Sequence, residues 1–103
     1  MATPFTPRIG ATVSITVTAS SVSVALPDCQ QGVDIRIYNA DTQVVFITSG
    51  SPTATATTTT SIPIAPGAIE VLHFPSVEGP RVMSAIGTAA NSKAIYFTPG
   101  SGI

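Results

Sequence analysis

Apolar and polar residues alternate along most of this chain. In the first run Val13, Ile15 and Val17 fall on one side and Thr12, Ser14, Thr16 and Thr18 on the other, the period of a strand with one buried face. A strand is predicted over residues 12–18. The next apolar set, Val22, Val24 and Leu26, has moved from odd to even positions. Strand side chains alternate with period two, so the change of parity demands a turn or bulge near residues 19–21. Pro27 and Asp28 end this second run.

Val33, Ile35 and Ile37 alternate with Asp34, Arg36 and Tyr38, which predicts a half-buried strand. Asn39, Ala40 and Asp41 read as a turn, because Asn and Asp tolerate left-handed backbone and bond to nearby backbone groups. The apolar run 44–47 follows directly, so the pair reads as a hairpin. Residues 53–60, Thr-Ala-Thr-Ala-Thr-Thr-Thr-Thr, form either an edge strand or a long loop. Pro63 and Pro66 bar residues 62–65 from the centre of a sheet, since proline cannot donate to the ladder. Pro66-Gly67 fits the middle of a type II turn. Further strands are predicted over 68–74, 82–86 and 94–98, with Pro99-Gly100-Ser101-Gly102 closing the last. Roughly seven or eight short strands, spaced about 8–12 residues apart, predict an all-β fold: one β-sandwich or small jelly-roll-like domain over residues 11–103. Residues 1–10 carry Pro4 and Pro7 without alternation and read as an extended N-terminal arm.

Composition agrees. Val, Ile and Thr make up about a third of the chain, and their stiff χ1 suits a pleated sheet and penalises a helix. Only 9% of residues are charged, against roughly 25% in ordinary soluble domains. The surface must therefore be built from Ser, Thr, Ala, Gly and aliphatic groups, and a surface so poor in charge is expected to be covered by neighbouring subunits. Four basic residues, Arg8, Arg36, Arg81 and Lys93, in a chain of net charge −1 are too few to track phosphates, so nucleic acid is not expected as a partner. No apolar run is long enough for a membrane span. The N-terminus lacks the basic head and apolar stretch of a signal peptide, so synthesis in the cytoplasm is expected. Cys29 is the only cysteine, which rules out an intrachain disulfide.

Little points to catalysis, and neither an enzyme nor a bound cofactor or metal is expected. His73, the single histidine, shares a strand face with Ile69 and Val71. A triad would need a nucleophile and an orienting acid beside it, and zinc would need three or four ligands. A strand histidine at a surface or interface explains it more simply. Cys29 has no flanking signature that would lower its pKa. Asp28, Asn39 and Asp41 lack the loop pattern of a calcium hairpin, and turn chemistry accounts for them. There are six aromatics and no tryptophan. Phe46, Phe74 and Phe97 sit in apolar strand contexts, which leaves Tyr38 and Tyr96 as the residues on which a carbohydrate-binding reading would rest.

Residues 33–47, the segment Pro63-Ile-Ala-Pro-Gly-Ala-Ile-Glu-Val-Leu72, then Ala85-Ile86 and the closing Ile95-Tyr-Phe-Thr-Pro-Gly100 follow one another as sheet and turn. That order resembles the small β-rich virion structural proteins of tailed phages, over roughly residues 12–102. The resemblance implies a capsid decoration (cement) protein on the outer face of the assembled head, commonly a homotrimer, with the major capsid protein as partner and the virion as its location. It carries no ligand or catalytic motif. A neck, tail or head-fibre component is the alternative within the virion, and a carbohydrate-binding module the alternative outside it. The arm, with Phe5, Arg8 and Ile9, is expected to lie across a neighbouring subunit, its prolines limiting the ordering cost.

Overall fold

The computed structural model describes residues 4–26, 32–88 and 93–101. These form nine strands: β1 (Thr6–Pro7), β2 (Val13–Thr16), β3 (Val22–Leu26), β4 (Val33–Asn39), β5 (Val45–Gly50), β6 (Ile62–Ile64), β7 (Ile69–Phe74), β8 (Arg81–Gly87) and β9 (Ala94–Ser101). The first sheet runs β2-β9-β4-β7, with β1 lying end to end with β2 along the same edge of β9. The second runs β3-β8-β5-β6.

All pairings are antiparallel, and their register shows how the fold is wound. Thr6 faces Ser101, Val13 faces Phe97, Val22 faces Ala85, Val33 faces Phe74, and Val45 faces Ile64. The chain is one long hairpin with its tip in the segment between β5 and β6. It is rolled so that successive rungs fall in alternate sheets, and the β4–β9 and β5–β8 pairings close the roll. This is the strand order of a jelly roll, two Greek keys in eight strands, with β1 as an extra edge segment.

Most of the predicted inward positions make the core; Phe46, expected there with Phe74 and Phe97, is instead half-buried on the outer face of β5, between the inward Val45 and Ile47. Ile15, Val17, Leu26, Val33, Ile35, Ile37, Val45, Ile47, Ile64, Phe74, Met83, Ala85, Ile95 and Phe97 form one buried cluster, each large side chain contributing about 1.5–3 kcal/mol by leaving water. The parity change after Val17 has a tertiary cause: the chain leaves one sheet for the other. Val17 N–H still bonds to the Lys93 carbonyl at 3.0 Å, while the Thr18 carbonyl accepts from Gly87 N–H at 2.8 Å in the opposite sheet. Thr18 Oγ1 bonds to Ser20 and fixes the bend.

Two sequence expectations are corrected. Residues 33–39 and 45–50 are not a hairpin: β4 is flanked by β7 and β9, and β5 by β6 and β8. The Asn39–Asp41 turn exists but carries the chain between sheets, and a sheet crossing has the same local pattern as a tight reversal. The last strand does not stop before Pro99 either. It continues to Ser101, because Pro99 needs no amide donor where its carbonyl accepts from Arg8 N–H at 2.8 Å. Pro63 does lie on an edge strand, β6, and Gly67 has φ +72°, as a type II turn requires.

Candidate functional site

A sandwich has two outer faces, and here the chain treats them differently. On the second sheet Ser84, in the middle of β8, points outward beside Ser23 and Thr48, yet it is fully buried. The threonine-rich connection between β5 and β6 folds back over it. Ala56 N–H donates to the hydroxyls of Ser21 and Ser84 at 3.0 and 3.1 Å, and these two hydroxyls lie 2.7 Å apart. Ser23 Oγ donates to the Ala54 carbonyl at 3.0 Å. The strap then turns through Thr57, whose hydroxyl bonds with Thr60, while Ser61 Oγ accepts from Thr57 N–H. Residues 53–60, read as edge strand or loop, are thus a strap that covers the middle of its own sheet. Gly50 is required beneath it: a Cβ there would lie 2.5 Å from the Thr53 carbonyl oxygen.

The first sheet has no such cover from the described residues. Its outward side chains stand in rows set by the register. One row crosses four strands as Ser14, Tyr96, Tyr38 and Ile69. The tyrosine rings are stacked with centroids 6.1 Å apart and planes 13° apart. That separation is well beyond an eclipsed pair and makes them an offset pair. Tyr38 and Tyr96 are 36% and 39% exposed, and Ile69 53%. The next row holds Thr98, Arg36 and Val71, with Thr12 Oγ1 2.8 Å from Thr98 Oγ1. A third places Asp34 beside His73, Oδ1 to Nδ1 2.9 Å. His73 therefore shares its face with Ile69 and Val71, as its strand position implied, and its partner is a cross-strand acid 39 residues away. The pair orients an imidazole on a solvated face; a triad would also need a nucleophile on the other ring nitrogen.

Along the β1 edge of this sheet lie the arm residues. Phe5 is half-buried, and a Cβ on Gly100 would come within 2.8 Å of Phe5 Cζ and would also strike the Thr6 carbonyl oxygen. Arg8 is exposed and its backbone is tied to β9 through Pro99. Ala11 N–H closes a turn on the Arg8 carbonyl at 3.2 Å, with Gly10 at φ +84°. Ile9 sits at the tip of that turn and is 89% exposed. In the isolated chain the described part of the arm thus adds to its own sheet. Gly100→Ala should push Phe5 and Thr6 off β9. Trypsin cleavage after Arg8 is then expected to speed up by about tenfold or more over wild type, as for a segment moved to the low-stability end. An unchanged rate would mean that the β1 pairing does not protect the arm.

At the ends of the sandwich three polar or charged side chains are buried, Asn39, Asp41 and Arg81. Asn39 and Asp41 belong to the sheet crossing: Asp41 Oδ1 accepts from the amides of Thr42 and Gln43, which is turn chemistry. Among the described residues no group of three or more His, Cys, Asp or Glu side chains converges as a metal site would require. Arg81, counted from sequence only as one of four basic residues, is 1% exposed. The signal that could have found it is its place at the head of an apolar strand. Asp28 and Cys29 lie outside the described residues.

Fold and surface together define an all-β jelly-roll domain with one face strapped by its own chain and one face left open by the described residues. Comparison with protein-family models, curated proteins and solved structures yields no match for this chain.

Proposed function

We propose that this chain is a structural protein of a tailed-phage virion, a decoration protein that binds the outer face of the assembled head and links neighbouring capsid subunits. The observation that carries the docking mode is Ile9: an aliphatic side chain held 89% in solvent at the tip of a hydrogen-bonded turn. Little conformational freedom remains to be lost there on binding, so the cost of ordering an anchor is already met. With the exposed Arg8 next to it on the sheet edge, Ile9 forms an apolar tip with a basic neighbour, suited to a cleft between capsid subunits, while Phe5 packs back against Gly100. The scarcity of charge over the whole chain supports extensive contact with protein neighbours, copies of itself in a trimer included.

The mechanism is linkage. A protein that binds only the assembled shell stabilises that shell by mass action, and many modest contacts repeated over a lattice add through avidity. Quantitative mass spectrometry of purified particles should find this chain in numbers comparable to the major capsid protein. Ile9→Asp should lower its occupancy at least about tenfold, the scale of one lost anchor residue, without lowering the melting temperature of the free protein. A few copies per particle would move the protein to the neck, tail or a head fibre. Absence from particles would end the virion reading.

A further inference from the structure

We propose that the open face of the first sheet is a binding surface for neutral glycans, with Tyr38 and Tyr96 as the stacking platform. The proposal is independent of the virion reading: it concerns a different surface from the Ile9 edge and holds or fails for the free protein.

The layout of the face is the reason. A pyranose is amphiphilic at short range, with an apolar C–H face bordered by a rim of hydroxyls. A matching surface needs exposed aromatic rings with hydrogen-bonding side chains about one strand spacing away, and this face has them on the β2 side of the pair and in the next row along the strands. On the β2 side Thr12, Ser14 and Thr16 are all exposed, and Ser14 is directly opposite Tyr96. In the next row along the same strands lie Arg36 on β4 and Thr98 opposite it on β9. Hydroxyls both donate and accept, and a guanidinium offers a fork of donors, so both kinds of sugar oxygen contact are provided for. Strands about 4.8 Å apart make a four-strand face roughly 14 Å wide, room for a short oligosaccharide along the Ser14-Tyr96-Tyr38-Ile69 row.

Charge decides the class of sugar. Among the described residues the face carries one cation, Arg36, and one carboxylate, Asp34, which is bonded to His73. With no surplus of either sign, neither a sulfated nor a sialylated chain gains much by binding, and a neutral chain loses nothing. A protein partner fits less well. Protein hot spots are anchors that fill desolvated pockets and are sealed by a rim, whereas here the aromatic pair stands on a sheet surface, with Ser14, Thr98 and Arg36 among its neighbours on two sides and Ala94, Ile69 and Val71 on the others.

The test uses the full-length chain, tagged and multimerised, on an array of neutral oligosaccharides of glucose, galactose, mannose and N-acetylglucosamine. Binding to at least one of these series is expected. It should fall at least about tenfold in Tyr38→Ala and in Tyr96→Ala, because stacking on each ring is lost, and should persist in Tyr38→Phe and Ile9→Asp. Thermal melts within a few degrees of wild type, as expected for exposed positions, show that the alanine variants are folded. No binding to any neutral series, or binding unchanged in both alanine variants, overturns the proposal. So does the finding that Tyr38→Ala strips the protein from particles, since the face would then be a protein interface. Loss of particle binding in Ile9→Asp alone touches only the decoration reading.

Discussion

Asn39→Ala should cost the fold about 3 kcal/mol or more, because one fully buried amide holds three backbone carbonyls and one backbone amide at once. Asn39 Nδ2 donates to the carbonyls of Gln43 at 3.0 Å, Ile64 at 2.9 Å and Ala65 at 3.2 Å, while Oδ1 accepts from Asp41 N–H at 2.9 Å. The residue stands at the end of β4 in the first sheet, and Ile64 ends β6 in the second. The side chain is therefore a staple between the sheets at one end of the sandwich. Alanine leaves the buried Ile64 carbonyl and Asp41 amide without this partner, each at a cost of about 1–3 kcal/mol, while the part-buried Gln43 and Ala65 carbonyls lose less, Ala65 keeping its bond from Ala68 N–H. Against a total of about 5–15 kcal/mol for a domain of this kind, that is a large fraction. Urea unfolding should show a lower midpoint with an unchanged slope. Asn39→Asp tests the mechanism, since it keeps the shape but removes the donors. At neutral pH its carboxylate would face three carbonyl oxygens, so its folded-state pKa must rise above the usual value near 4. A raised acid pKa favours folding below the unfolded pKa and loses that favour as pH rises through the folded one. Relative to wild type, Asn39→Asp should thus recover stability on acidification towards about pH 4. A difference from wild type that does not vary with pH would show that the donors are not what matters.

Arg81→Ala should be comparably damaging, about 3–4 kcal/mol by the scale of emptied and unsatisfied core sites. Arg81 opens β8, yet its guanidinium reaches the other sheet. It donates to the Pro75 carbonyl just past the end of β7 and, at 3.2 Å, to Ser49 Oγ on β5, and it lies 5.9 Å from the centre of the Phe74 ring. It does at one end of the sandwich what Asn39 does at the other. Arg81→Met keeps most of the volume and removes the charge, so it separates packing from polar contact. Buried charges replaced by well-packed apolar groups often lose little, and Met should cost about half of what Ala costs. Urea midpoints for the two variants measure this. Equal losses would assign the whole effect to the hydrogen bonds and the cation over Phe74.

Several elements were legible because the information is local. Val13, Ile15 and Val17, then Val22, Val24 and Leu26, announced both strands and the break between them. Pro63 announced an edge and Pro66-Gly67 a turn. The placing of Asp34, Arg36 and Tyr38 opposite the inward Val33, Ile35 and Ile37 also followed from alternation alone, whereas the strand of His73, apolar on both faces, left its outward side to the structure. The hairpin assigned to residues 33–47 failed for the complementary reason: a turn residue reports that the chain bends, and the partner of each strand is set by contacts far away in sequence. The arm residues Phe5, Arg8 and Ile9 were singled out together, but the structure divides them. Phe5 packs against Gly100, and Ile9 alone stands fully in solvent.

By itself, then, the sequence determined most of the longer strands, the buried faces of those that alternate, the all-β class and the poverty of charge, since each depends on residue type and on a period of two. Only the tertiary structure decided the jelly-roll order, the strap over one face, the two polar staples and the meeting of Tyr38 with Tyr96. Each of those rests on a pairing between distant residues, such as Ser21 with Ser84 or Asn39 with Ile64. No local pattern carries such a pairing, because the loop-closure cost of bringing distant segments together is offset only when the whole sandwich forms.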